Sequence, residues 1–198
     1  MSIFENKKKK IFILVGHPDR DSFNCTLADE YQRGAEESMH EVRRVNIEEM
    51  QFDPVLHHGY RLKQELEPDL VTFQNNVRWC DHFVIFYPSW WSTMPAVLKG
   101  LFDRTWIPEF AFKFTGEFSW KKLLKGRSAT MFVTSDTVPF IQRLIFGDTT
   151  NELKKGILWF AGFGPIYVRK FGYLKHFGST GRRERIKRKV YNLGRKAK

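Results

Sequence analysis

The residues best suited to hold a ligand follow a short apolar run near the start of the chain. Residues 11–15 read Ile-Phe-Ile-Leu-Val, and the loop behind them carries His17, Ser22 and Asn24. Ser22 can begin a helix, whose free N–H groups and dipole favour a phosphate at that point. His17, Ser22 and Asn24 can add side-chain donors. The alternative interpretation is structural: Ser22 only caps the helix, and His17 lies at the surface.

The glycine spacing of this loop narrows the class of ligand. Residues 16–24 contain neither the GxGxxG spacing of dinucleotide-binding folds nor the GxxxxGK[ST] spacing of nucleotide triphosphatases. A phosphate site without either motif fits a flavin monophosphate better than ATP.

A second loop places two adjacent tryptophans behind another apolar run, residues 83–87. It reads Pro-Ser-Trp-Trp-Ser over residues 88–92. Indole faces exposed in a loop suit stacking on a flat ring, and the N–H groups of such a turn can bond the edge of that ring. The alternative is that one or both tryptophans pack against the neighbouring helix.

A third polar loop, Thr134-Ser135-Asp136-Thr137, follows the apolar run at residues 128–133. Its small side chains offer polar contacts to the same flat ring. The alternative is that they are ordinary turn formers.

Apolar runs alternating with amphipathic segments must position these loops. We predict strands at residues 11–15, 41–47, 83–87, 128–133 and 165–171, and helices from Ser22, Pro68, Met94–Pro95, around 153–160 and from Ser179. This alternation predicts an α/β, flavodoxin-like three-layer sandwich with a five-stranded parallel sheet of order 2-1-3-4-5. The three loops then meet at the carboxyl edge, where strand order reverses and ligands bind.

The length of the chain limits the number of domains, and its charge limits the kinds of binding partner. With 198 residues and no linker, we expect a single domain spanning 1–198. The net charge of +11 is concentrated in a C-terminal helix predicted at about 179–194, since residues 182–198 hold nine Lys or Arg against one Glu. Such a helix suits a solvated face, an anionic membrane surface or nucleic acid. Nucleic-acid binding is not expected, because only Tyr191 interleaves the basic residues.

The cysteines and the N-terminus predict where the protein works. Cys25 and Cys80 lie in different segments without metal-ligand spacing, so neither a disulfide framework nor a metal site is expected. No signal peptide or membrane-spanning run is predicted. The default location is the cytoplasm.

Four blocks in order carry a family resemblance: Gly16-His17-Pro18 with Ser22-Phe23-Asn24, Tyr87 through Ala96, Lys99-Gly100 with Asp103-Arg104, and Glu109-Phe110-Ala111-Phe112. Over residues 9–165 the chain resembles the flavodoxin-like NAD(P)H:quinone oxidoreductases. That family includes the DT-diaphorases and many smaller bacterial NAD(P)H dehydrogenases.

The resemblance implies a non-covalent flavin, FMN or FAD, that takes a hydride from NADH or NADPH and gives it to a quinone-like acceptor. The residues implied at the cofactor are His17, Ser22, Phe23, Asn24, Pro88, Ser89, Trp90, Trp91, Ser92, Thr134, Ser135, Asp136 and Thr137. The resemblance implies that Phe112 and Phe114 line the substrate pocket, where the family often uses residues of the partner subunit of a homodimer. No side-chain nucleophile and no metal are expected.

The chain departs from the larger enzymes of this family in three places. Those enzymes have Thr-Thr-Gly-Gly after strand four, where this chain has Asp136 in a glycine-free loop. They also use a Tyr and a His in the following segment, and residues 140–146 contain neither, so no catalytic residue is assigned. The long C-terminal extension of those enzymes has no counterpart here, which favours FMN over FAD.

Two other functions compete with this interpretation. Some family members are flavin-binding regulatory subunits of transporters with little turnover, and the basic C-terminal helix would then be a docking or membrane-surface face. A one-electron carrier like flavodoxin is disfavoured, because such carriers are acidic and this chain carries +11. The excess of aromatic residues favours a homodimer.

Overall fold

A computed structural model describes residues 8–172 and 180–198. Its strands are β1 Lys10–Val15, β2 Glu41–Asn46, β3 His82–Pro88, β4 Phe112–Gly116, β5 Ser119–Lys122, β6 Ser128–Thr134 and β7 Ile166–Phe171. Its α-helices are α1 Phe23–Glu37, α2 Pro68–Trp79, α3 Ala96–Thr105, α4 Pro139–Phe146 and α5 Thr180–Arg195. A 3₁₀ turn covers Ile47–Glu49, and a π-helix covers Glu152–Trp159.

The central sheet is parallel and has the order β2-β1-β3-β6-β7. Counted along the sheet strands alone, this is the predicted order 2-1-3-4-5, so the predicted fold is confirmed. Every residue of β3 is buried, because helices cover both sheet faces and only a continuous apolar run satisfies both. Helices α1 and α5 pack on one face, while α2, α3 and the π-helix pack on the other.

The segment after β6 differs from the sequence prediction. One α-helix was expected around residues 153–160, but the chain forms α4 and then a π-helix. Leu153 and Leu158, five residues apart, are its buried side chains, while Ile157 is only half-buried. Burial at a five-residue interval matches the i→i+5 hydrogen bonding of a π-helix.

The C-terminal helix lies against α1 with its backbone in close contact. A Cβ added to Gly34 would overlap the carbonyl oxygen of Tyr191, and one added to Gly194 would overlap that of Tyr31. The two glycines therefore let α1 and α5 approach more closely than any larger residue would allow. The predicted cap of α5, Ser179, lies outside the described residues.

The two remaining strands, β4 and β5, form a separate antiparallel hairpin beside the π-helix. Trp120 of the hairpin stacks on Phe160 and donates from its indole N–H to the Phe160 carbonyl at 3.0 Å. Among the described helices, none combines the length and apolarity that crossing a membrane requires.

Candidate cofactor site

The three predicted loops meet at the carboxyl edge of the sheet. The Asn24 amide donates to the Thr134 hydroxyl at 2.9 Å, which joins the first loop to the end of β6. The Ser89 N–H donates to the Thr134 carbonyl at 2.7 Å, which joins the second loop to the same residue. The rings of His17 and Trp90 meet edge to face with their centroids 5.4 Å apart. These contacts form because β1, β3 and β6 are adjacent and parallel, so their carboxyl ends share one edge.

The start of α1 supplies the donors expected of a phosphate site. Ser22 is the N-cap, and its hydroxyl oxygen accepts from the Cys25 N–H at 3.3 Å. The N–H groups of Phe23 and Asn24 have no partner within the described chain. Gly16 keeps the loop close to α3, because a Cβ there would lie 2.6 Å from the Leu98 side chain. Ser22 is thus committed to capping, and two backbone donors remain open.

His17 is held in one tautomer by its own loop. The Asp19 N–H donates to Nδ1 of His17 at 3.0 Å, so in the neutral ring the proton is on Nε2. Burial lowers the pKa of His17 below its ordinary value, although the charge of Asp19 opposes this shift. A neutral His17 therefore presents one N–H donor, at Nε2, near the start of α1.

The side chain of Asn24 has a buried oxygen that lacks a hydrogen-bond donor. Its side chain is only 3% exposed, and its Oδ1 is buried without a hydrogen bond in the described structure. A buried amide oxygen without a donor is costly, and native proteins leave few of them. The ribityl chain of a flavin carries hydroxyl donors of the kind that this oxygen needs. The residues present therefore fit the cofactor.

The second loop forms a tight and strained turn. Trp90 and Thr93 exchange backbone hydrogen bonds of 2.9 and 3.0 Å around Trp91 and Ser92. Trp91 and Ser92 have φ values of 48° and 66°, which are unfavourable for residues other than glycine. Their N–H groups have no partner in the described chain. The Thr93 hydroxyl donates to the Glu152 carboxylate, which ties the turn to the π-helix.

The two tryptophans of this turn are exposed to different degrees. Trp91 is 100% exposed and Trp90 is 44% exposed, so packing of Trp91 against a helix is wrong. Trp90 is half-exposed, and its ring lies against the ring of His17. A fully exposed indole on a strained turn leaves a flat apolar surface beside the start of α1.

The third loop is only partly engaged with the other two. Thr134 is buried and contacts both of them, whereas the Ser135 hydroxyl donates to the Thr137 carbonyl at 2.9 Å within its own turn. Asp136 and Thr137 are exposed at the same edge. The hydrogen bonding thus favours Thr134 as a site residue and favours turn formation for Ser135.

Two residues that the sequence analysis did not assign lie at this site. Gln142 of α4 is buried and donates to the Ser89 hydroxyl at 3.0 Å. The Arg183 guanidinium lies 5.3 Å from the ring centroid of Phe23, so a cation stands beside the first turn of α1. The basic run of residues 182–198 was visible in the sequence, but nothing in it indicated which cation faces this loop.

The predicted substrate residues are not at the site within one chain. Phe112 contacts Phe114 and Phe160, each with ring centroids 5.1 Å apart, and Phe114 is 62% exposed. Phe160 ends the π-helix shortly before β7 begins, which puts this aromatic group towards the amino edge of the sheet. It lies away from the loops that hold His17 and Trp91.

Comparisons with known proteins agree with this architecture. A family described as having a flavodoxin-like fold matches residues 9–190. Human ribosyldihydronicotinamide dehydrogenase (quinone) is 28% identical over 181 residues, covering 78% of each protein. The crystal structure of Smu.1420 from Streptococcus mutans superposes with a TM-score of 0.82 at 29% identity, covering 94% of this chain and 98% of that one.

A second similar structure shares the fold at lower identity. It is an FMN-dependent NADH-azoreductase from Bacillus anthracis in complex with FMN, with a TM-score of 0.70 and 18% identity, covering 93% of this chain and 97% of that one. The predicted family resemblance is confirmed: this chain belongs to the flavodoxin-like fold family and is an oxidoreductase related to the NAD(P)H:quinone oxidoreductases.

Proposed function

We propose that this protein binds FMN at the carboxyl edge of its sheet and uses it to transfer a hydride from NAD(P)H to a quinone-like acceptor. The observation that carries the proposal is the buried, unpartnered Oδ1 of Asn24 at the junction of the three loops. The fold it shares with a structure solved in complex with FMN supports the choice of cofactor.

The open groups divide between the two ends of such a ligand. The N–H groups of Phe23 and Asn24, with Nε2 of His17, would hold the phosphate, and Arg183 adds positive charge nearby. Asn24 Oδ1 would accept from the ribityl chain. We place FMN before FAD because these donors gather around one helix start, which suits a single phosphate.

The turn over residues 90–93 would hold the ring end. The unpaired N–H groups of Trp91 and Ser92 can donate to the polar edge of the ring, and the Trp91 indole can cover part of its face. When bound, a flavin supplies the hydride chemistry. The protein supplies position, stacking and exclusion of water, so no acid, base or nucleophile from the chain is required.

The acceptor pocket needs residues that one chain does not place there. We propose a homodimer in which Phe112 and Phe114 of one protomer line the acceptor pocket of the other, because Phe114 is exposed away from its own site. We also place the protein in the cytoplasm, since Cys25 and Cys80 are free, buried thiols.

The visible spectrum during titration with FMN tests the cofactor directly. We expect a saturable flavin spectrum, and then oxidation of NADH or NADPH with menadione as acceptor and ping-pong kinetics. A protein that stays colourless with FMN contradicts the site. Bound flavin without turnover contradicts the enzyme and favours a regulatory subunit. A dimer that dissociates without loss of menadione reduction contradicts the role given to Phe112 and Phe114.

A further inference from the structure

The turn over residues 90–93 has a backbone conformation that its own sequence disfavours. Both central residues, Trp91 and Ser92, have a positive φ, which is the pattern of a type I′ turn. Glycine and asparagine are the usual residues at those two positions, because other side chains are strained there. Strained backbone of this kind persists only where the surrounding structure holds it. The groups that hold this turn are therefore part of the candidate site.

The residue before the turn is held by β6 and α4. The Ser89 N–H donates to the Thr134 carbonyl at 2.7 Å, and the Ser89 hydroxyl accepts from the Gln142 amide at 3.0 Å. Thr134 and Gln142 are both buried, so these partners have fixed positions. The hydrogen bonds of Ser89 therefore fix where the turn begins, but they do not reach its central residues.

The end of the turn is held by a single side chain. The Thr93 hydroxyl donates to the Glu152 carboxylate. In the part of the chain that the structure describes, no other side-chain hydrogen bond or ion pair reaches residues 90–93. Apart from the two backbone bonds between Trp90 and Thr93, Glu152 is therefore the hydrogen-bonding partner that holds the strained residues in place.

Glu152 can hold the turn because its own backbone is fixed on both sides. Thr150, two residues earlier, is 1% exposed, and its hydroxyl donates to the Asp148 carboxylate at 2.7 Å. Leu153, the next residue, is fully buried in the core. Glu152 is also the first residue of the π-helix, a type of helix that is frequent at functional sites. The carboxylate therefore comes from a rigid support, whereas the turn that it bonds is strained.

We propose that Glu152 is a positioning residue for the flavin ring: its bond to Thr93 holds the turn in the conformation that leaves the N–H groups of Trp91 and Ser92 open to a ligand. Those two N–H groups have no partner in the described chain. Without the bond, the strained backbone relaxes for part of the time. A ligand then binds more weakly, in proportion to the fraction of the protein whose turn keeps the binding conformation. Glu152 itself does not need to touch the ring.

The role of Glu152 rests on the proposed function for its ligand, but the hold on the turn is a property of the protein alone. The Thr93 N–H donates to the Trp90 carbonyl at 3.0 Å, so its exchange with deuterium reports how often the turn opens. That exchange is measured without flavin. A parent protein that does not bind FMN contradicts the proposed function, whereas unchanged exchange in the Glu152 variants overturns the positioning role.

Amide exchange of Thr93 in the flavin-free full chain is the first test. Glu152→Ala should lower its protection factor about tenfold, because a hydrogen bond to a charged group is lost. Thr93→Val, which removes the hydroxyl and keeps the shape of the side chain, should have the same effect. The double variant should be no less protected than either single variant, because both substitutions remove the same bond. Additive losses, or parent-like protection in Glu152→Ala, overturn the role.

Flavin affinity, followed by fluorescence quenching, is the second test. Glu152→Ala should weaken FMN binding about threefold to tenfold, and binding of lumiflavin, which has the ring without the ribityl chain or phosphate, by the same factor. Glu152→Gln keeps an acceptor for the Thr93 hydroxyl and should stay within about twofold of the parent. If the Gln variant binds as weakly as the Ala variant, or if lumiflavin does not share the loss, the positioning role is wrong.

Glu36→Ala is the matched control for the loss of a carboxylate. Glu36 is also an exposed acid that accepts from one neutral side chain, the Gln32 amide at 2.8 Å, on the exposed side of α1. Its removal should leave Thr93 protection and FMN affinity within about twofold of the parent. A loss in Glu36→Ala as large as in Glu152→Ala would assign the effect to net charge and overturn the positioning role.

Discussion

Two buried polar side chains, His82 and Asn24, lie near opposite edges of the central sheet and are satisfied to different degrees. His82 has 0% exposure, and its two ring nitrogens lie 2.7 Å from the Ser128 hydroxyl and 3.2 Å from the Thr130 hydroxyl. Asn24 has 3% exposure, and only its amide nitrogen has a partner. A fully satisfied buried group holds a fold together, whereas a half-satisfied one indicates where a ligand completes the structure.

The largest expected effect is a loss of FMN affinity when Asn24, the half-satisfied residue, is replaced. Asn24→Ala should weaken FMN binding by about tenfold to a hundredfold, because a buried acceptor and its neighbouring bond are lost. Fluorescence quenching of FMN measures the affinity. Ser128→Ala, which removes a hydrogen bond to His82 instead, should leave the affinity for FMN unchanged. Equal effects of the two substitutions would show that Asn24 acts only through folding.

The second effect is a loss of folding stability at acidic pH, which tests whether His82 must stay neutral in the folded protein. Burial lowers the pKa of His82 to about 3, from 6.5 for an exposed histidine. The unfolded chain therefore binds a proton that the folded chain does not, and stability falls as pH falls from 6.5 towards 3. The expected loss is about 1.4 kcal/mol per pH unit, or about 2 kcal/mol between pH 6.5 and 5.

Urea unfolding of the parent and of His82→Gln at those two pH values isolates this contribution. Glutamine retains hydrogen bonding but does not titrate in this range, so the variant should lose less stability on acidification. Parallel losses in both proteins would assign the acid sensitivity to other groups.

A third effect tests whether strain in the ring-binding turn serves binding. Trp91→Gly should raise the free energy of unfolding by about 0.5–1 kcal/mol, because glycine accepts a φ of 48° and no packing is lost. The same change should weaken FMN binding about threefold to tenfold through lost stacking. Phe118→Gly is the control, since Phe118 is 90% exposed but does not have a positive φ. It should lower stability and leave FMN binding alone.

The smallest effect is a pH dependence of phosphate binding. A bound phosphate favours protonated His17, so FMN affinity should rise by about threefold as pH falls through the range where His17 titrates, the size of a partly exposed charge pair. His17→Asn should remove this component, and comparison with the parent cancels the titration of the phosphate itself. Riboflavin, which has no phosphate, should show no difference between the two proteins.

The sequence was most informative where local pattern and tertiary burial agree. Unbroken apolar runs such as 83–87 predicted buried parallel strands, and Pro68 marked the start of α2 correctly. The alternation of elements predicted a parallel sheet, and the flavodoxin-like fold that five such strands suit supplied the strand order. Helix α4 was not predicted, because its apolar residues face outward and their spacing therefore does not match a helix packed on the core. The π-helix was missed because Ile157 fits an α period although Leu158 is the residue buried.

The site was predictable only as far as its loops lie at strand ends. That rule brought Asn24, Ser89 and Thr134 together correctly, because adjacency in the sheet follows from strand order. Gln142 and Arg183 were not predicted as site residues, because their positions depend on how α4 and α5 pack against the rest of the fold. The sequence also did not predict that hydrogen bonding favours Thr134 as a site residue and turn formation for Ser135, because this difference depends on hydrogen bonds between neighbours rather than on residue type.

The glycine crossing of α1 and α5 makes the first cofactor loop sensitive to a distant substitution. Gly194 lies eleven residues from Arg183 along one rigid helix, a distance of about 16 Å. Any side chain at Gly34 or Gly194 must push the helix axes apart, and α5 would carry that displacement to the cation beside Phe23. Gly34→Ala should thus change FMN affinity from the far end of the helix pair, and a crystal structure of the variant would measure the movement of Arg183.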